Sequence, residues 1–274
     1  MSLCASASVR VLLPKETNLS VGVERSIAPL PSPPPRCAGG GNPVIIVETS
    51  LHRELKSFYA DEEAQFEVPL GRYRIDVVVG ERLVEVQHGS LSAIRDKIRK
   101  LVKDHDVTVV KPIVVRKRLV KLSKKGGRVK GQRLSPKRGR LLDLFDELVH
   151  FTRAFPHPRL TLDVPLVDIE ELRYPGHGRR RRWRKNDFQV EDQKLVEVHE
   201  THTFRTAQDL VGLVPDGLPD PFHTGHLAEA LDVHRWIAQR VAYCFRNMGA
   251  VEQVGKSGNA LLYRFTDERR AKSA

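Results

Sequence analysis

The chain is short of cysteine, with three in 274 residues. Cys4, Cys37 and Cys244 lie far apart and form no CxxC pair, which argues against a zinc finger and against a secreted disulfide framework. Long apolar runs are also missing, and none approaches membrane-spanning length. The only apolar patch near the start, residues 9–13, is broken by Arg10 and followed by Pro14, which is too weak for a signal peptide. The protein is therefore expected in the cytoplasm and off the membrane. Acidic residues are outnumbered: 46 Lys and Arg face 34 Asp and Glu, a formal charge of +12. Such an excess bears on partners rather than fold, and nucleic acid is the first polyanion it points to.

The basic charge is clustered. Residues 117–140 contain no acid, and Lys124, Lys125, Arg128, Lys130, Arg133, Lys137, Arg138 and Arg140 fall within a polar loop or hairpin. Arg179, Arg180, Arg181, Arg182, Arg184 and Lys185 surround Trp183 in a second run. Each reads as a phosphate-binding arm whose affinity falls with salt.

Between the leader, residues 1–42 with its Pro/Gly-rich end, and the first basic run, the order of elements is informative. Leu51, Leu55 and Phe58 recur at helical spacing behind Thr49 and Ser50, which suit an N-cap. Three strand-like runs follow: QFEVPL, RYRIDVVV and RLVEVQ. Leu91, Ile94, Ile98 and Leu101 then mark an amphipathic helix, and a valine-rich stretch supplies one or two more strands. The pattern is α-β-β-β-α-β over residues 43–122. Beyond the basic loop at 123–140, LLDLFDELVHFTRAF predicts a helix, and residues from there to 187 read as irregular. A strand-like stretch, residues 187–204, follows.

Strand alternation puts Tyr73, Ile75, Val77 and Val79 on one face and Asp76 on the other, while Glu85 and Gln87 share a face on the next strand. A tight turn at Gly80 brings Asp76 and Glu85 together. Two carboxylates on adjacent apolar strands are costly unless a positive charge sits between them. A hard divalent cation, Mg²⁺ or Mn²⁺, satisfies both, with the carbonyl of Val86 as a third ligand. Glu54 borders the buried face of the first helix and is a candidate to reach the same metal.

These residues and their order resemble the PD-(D/E)xK nuclease superfamily over residues 43–120. The resemblance implies a restriction-endonuclease-like core within the α/β class and a metal-dependent DNA endonuclease. It matches Asp76 and Glu85 to the metal-binding acids and Glu54 to the first-helix acid. Gln87 stands where the family usually has a lysine; it can orient the attacking water but adds no charge. Lys97, bordering the face set by Ile94 and Leu101, is the candidate to supply that charge. The departure at Gln87 keeps a non-catalytic DNA-binding regulator open as the alternative; the arginine runs alone also admit an RNA-associated protein. A homodimer is compatible with either.

Two further patterns complete the reading. Asp187, Glu197 and His199 echo Asp76, Glu85 and Gln87, as a second metal site or as a plain hairpin. Over residues 204–266, Thr206 and Asp209 open a helix with a capping-box pair, two more helices follow, and a Gly-tipped hairpin closes the unit. This resembles a winged helix-turn-helix, which implies Arg235, Gln239 and Arg240 towards DNA and Lys256 at the wing, although such modules also dock proteins. Residues 141–203 connect the two units and 267–274 form a tail.

Overall fold

Helix α1 (Ser50–Tyr59) starts where the sequence places it, with the Oγ1 of Thr49 accepting the N–H of His52. In this computed structural model, which describes residues 48–176 and 187–266, Leu51 and Leu55 are fully buried. Phe58 departs from the expected stripe: it is 54% exposed, its ring edge-on to Tyr59. Lys56 is buried instead, neutralised by Glu48 and Glu67.

Strands β1 (Gln65–Leu70), β2 (Tyr73–Val79) and β3 (Arg82–Val86) form an antiparallel meander. Gly71 and Gly80 sit at its two turns with φ of +57°, a conformation that costs glycine little. A 3-10 turn (Leu91–Ala93) and α2 (Arg95–Leu101) lead to β4 (Val107–Val110), which pairs parallel to β3. The α-β-β-β-α-β order is thus observed. The chain continues into β5 (Ile113–Leu122) and folds back as β6 (Val129–Leu134), so the basic run occupies a hairpin.

The largest departure lies between residues 149 and 176. The expected helix shrinks to a 3-10 turn (Leu141–Asp143) and α3 (Leu144–Leu148), since Val149, His150, Phe151 and Thr152 are weak helix formers. The stretch read as irregular contains β7 (Leu160–Pro175), which pairs with β4, β5 and the long strand β8 (Phe188–Phe204). Pro165 and four acids disguise it. Pro165 is tolerated because it falls between the two segments paired on one side: β4 ends opposite Asp163 and β5 begins opposite Leu166.

The eight strands make one mixed sheet with a core on each face. On one face α1 lays Leu51 and Leu55 over Val77, Val84, Val86, Val110, Val167 and Ile169. On the other, α2 and α3 pack on Ile75, Leu83, Val107, Val109, Leu162 and Val164. Helices α4 (Ala207–Val211), α5 (Thr224–Ala230) and α6 (Arg235–Asn247) join this second core, followed by the hairpin of β9 (Val251–Ser257) and β10 (Ala260–Phe265). The expected boundary at 204 is not a gap in packing. Phe204 is buried in the shared cluster, and Phe145 of α3 meets Phe245 of α6 edge-on at 5.6 Å. Among the described residues no helix is long and apolar enough to cross a membrane. The leader (1–42), the second arginine run and the tail lie outside the described residues.

Candidate active site

The β2–β3 ladder runs only from Val79↔Arg82 to Val77↔Val84 and then stops. The next residue along β2 is Asp76. Its Oδ2 accepts the N–H of Val86 at 2.8 Å, taking the place a ladder carbonyl would otherwise hold. On the neighbouring strand Glu67 has a φ of +56°, an uncommon conformation for a residue with a side chain. The strand changes face across this point. Tyr73 and Ile75 pack with Val78 in one core, whereas Val77 and Val79 pack in the other. Strict alternation, which puts Tyr73, Ile75, Val77 and Val79 on one side, fails because β2 leaves its partner at Asp76.

Glu85 follows Val84 on β3 and is only 4% exposed. Lys97 of α2 lies 2.5 Å from its Oε1 and also donates to the carbonyl of Arg74. The Glu85 contact is off the axis of a hydrogen bond, so this buried oxygen has no well-directed donor. Burial raises the Glu85 carboxyl to about 7, the charge of Asp76 adds to the rise, and Lys97 opposes it. Burial pushes Asp76 up as well, but His52, the Val86 N–H and Lys97 together outweigh it and hold the carboxyl below its usual range. Environment thus separates the two acids: Asp76 is ionised at neutral pH and Glu85 titrates there.

The structure brings Asp76, Glu85, Val86 and Lys97 together, but not Glu54. Glu54 points to β8, where its Oε2 accepts the N–H of Leu195 at 2.6 Å. The helix residue that reaches Asp76 is His52, its Nε2 at 3.3 Å from Oδ2. Residues 52 and 56 flank the Leu51/Leu55 stripe on one side and Glu54 flanks it on the other. Without knowing that β8 lies beside α1, the sequence offers no way to choose between the sides. Gln87 is half-buried and donates its amide to the carbonyl of Ser90 at 2.8 Å.

Of the expected nucleic-acid contacts, Lys124, Lys125, Arg128 and Lys130 are all exposed at the β5–β6 hairpin. Arg235 and Gln239 are exposed on α6, and Lys256 on β9. Arg240 pairs with Asp146 of α3 and lies over the Trp236 ring at 4.6 Å. Arg179, Arg180, Arg181, Arg182, Arg184 and Lys185 lie outside the described residues. In the echo, Asp187 sits at the far end of β8, beside Gly176, away from Glu197 and His199.

Comparison with known proteins gives relatives without a described activity. The profile of a family described as a domain of unknown function (DUF8091) matches residues 49–205, more than half of the chain. An uncharacterized protein of Treponema pallidum (strain Nichols) is 30% identical over 219 residues, covering 79% of this chain and 85% of the relative. No solved structure matches.

Proposed function

We propose that this chain, which belongs to the DUF8091 family, is a metal-dependent DNA endonuclease with a restriction-endonuclease-like core and a C-terminal winged helix-turn-helix. The observation that carries the reading is the Asp76–Glu85–Lys97 group at the point where β2 and β3 part. Two acids that can hold a divalent cation, with a lysine to answer charge developing on a phosphate, suit phosphodiester hydrolysis. The helix–helix–helix–hairpin order of α4 to β10 supports the DNA-reading half.

The donor set fits Mg²⁺ or Mn²⁺. Glu85 offers a buried oxygen without a directed donor, and Asp76 offers an ionised carboxylate. The Val86 carbonyl faces the same side as its N–H, which meets Asp76, because both groups of one strand residue point the same way. A cation held there supplies Lewis acidity to the phosphate and lowers the pKa of a bound water. Lys97, beside Glu85, would supply the charge that Gln87 does not bring. With its amide held by Ser90, Gln87 keeps a carbonyl oxygen with which to orient a water. His52 fixes the Asp76 carboxylate. Lys124, Lys125, Arg128 and Lys130, with Arg235, Gln239, Lys256 and the arginine run at 179–185, hold the duplex, and the cytoplasm is the compartment this activity suits.

One observation favours the second reading, a DNA-binding regulator without catalysis: Lys97 already neutralises Glu85 from within. The test is cleavage of supercoiled plasmid, single-stranded and branched DNA in Mg²⁺, in Mn²⁺ and in EDTA. Nicking that EDTA abolishes supports the enzyme. Duplex binding with no cleavage under any condition supports the regulator.

A further inference from the structure

Midway along the sheet, away from the parted strands, Asp168 of β7 stands between two cross-strand neighbours, Arg116 of β5 and Glu197 of β8. Leu160, Leu162, Val164 and Leu166 form an apolar row down β7, and Asp168 is where that row ends. Register shifts on β7–β8 bracket Val167 and Asp168. Such bulges re-aim side chains. Here they bring His199 as well as Glu197 onto Asp168.

Asp168 is 6% exposed, and its Oδ1 is enclosed without a hydrogen bond. The Nε2 of His199 is only 2.9 Å from that oxygen, yet the ring N–H does not point along the contact. The ring's Nδ1 lies 3.6 Å from the Oε1 of Glu197, so the imidazole stands between the two carboxylates. One atom each from Asp168, Glu197 and His199 lies within 4.8 Å of the others. Bonds of about 2.0–2.2 Å to a common ion place such atoms at most ~4.4 Å apart, a closure that the exposed Glu197 can make by a rotamer change. Arg116 lies 3.5 Å from the other oxygen, Oδ2, as its ion-pair partner. Asp168 and Glu197 outweigh Arg116 by one negative charge.

We infer that Asp168, Glu197 and His199 form a second metal site, for a first-row divalent transition cation. An imidazole with two carboxylates suits Zn²⁺ or Mn²⁺ better than Mg²⁺, which prefers oxygen alone. The site shares no residue with the Asp76 and Glu85 pair.

The probe is Zn²⁺ alone, titrated calorimetrically into the full chain after chelator treatment, with bound zinc counted after gel filtration. Wild type and Asp76→Asn are expected to hold one tight equivalent, and His199→Ala and Glu197→Gln to bind it at least tenfold more weakly. Because Glu197 is exposed, its variant reports on binding even if His199→Ala misfolds. Absence of a tight equivalent in wild type overturns the inference, as does unchanged affinity in Glu197→Gln. Loss in Asp76→Asn with retention in Glu197→Gln also overturns it, since the ion then belongs to the other site.

Discussion

Asp76 accepts the backbone N–H of Val86 at 2.8 Å, so one side chain both ends the β2–β3 ladder and places a charge in the gap. The two roles are separable. Asparagine keeps an acceptor for the Val86 N–H, whereas alanine leaves a buried donor unmade. Asp76→Ala should lower the unfolding free energy by ~1–3 kcal/mol, and Asp76→Asn by clearly less. Urea denaturation of both variants measures this, and equal losses contradict the capping role.

Glu85 gives a pH signature. Its carboxyl is raised in the fold from an ordinary value near 4.5 to about 7. A raised acid contributes its full stability below the unfolded value and loses it as pH rises through the folded one. Metal-free wild type should therefore lose up to about 3 kcal/mol between pH 4.5 and pH 8 from this group. Glu85→Gln should lack that loss, so its stability relative to wild type should rise across the window. Parallel stability profiles in a chelator-containing buffer run against it.

Glu54 and His52 sit on the same helix and should behave oppositely. Glu54 ties α1 to Leu195 of β8, so Glu54→Ala should cost ~1 kcal/mol of stability and leave cleavage unchanged. His52 holds Asp76, so His52→Ala should lower cleavage by about tenfold, in line with losses at groups that support a metal ligand. Rates and melting temperatures of the two variants decide it; a loss of cleavage in Glu54→Ala would restore that residue to the site.

The β5–β6 hairpin should carry phosphate contacts. Replacing Lys124, Lys125, Arg128 and Lys130 by alanine should flatten the salt dependence of duplex affinity, by about 0.9 in log–log slope for each side chain that touches phosphate. Fluorescence anisotropy across a salt series reads this. A slope equal to wild type shows that the hairpin does not touch the duplex.

What could be read in the sequence divides along physical lines. Periodicity and turns carried the first helix, the three-strand meander, α2 and the C-terminal helices, because each element shows its own apolar face. Strand β7 was hidden because it is central: Pro165, Asp163, Asp168, Glu170 and Glu171 break its apolar pattern, and their partners come from β5 and β8. That single omission explains the misplacement of Glu54, whose partner strand pairs with β7, and why Asp168, the acid grouped with Glu197 and His199, went unread. The Arg240–Asp146 pair was illegible for a similar reason, since Asp146 reaches Arg240 only through the packing of α3 on α6.

Plasmid nicking by wild type and Asp76→Asn, side by side with duplex binding, separates catalysis at Asp76 from DNA binding elsewhere. Nicking is expected from wild type in Mg²⁺ or Mn²⁺ and not from Asp76→Asn, with duplex affinity within about twofold between them, since on this reading the basic hairpin and α6 rather than Asp76 hold the DNA. Undiminished nicking by Asp76→Asn would mean that Asp76 holds no catalytic metal.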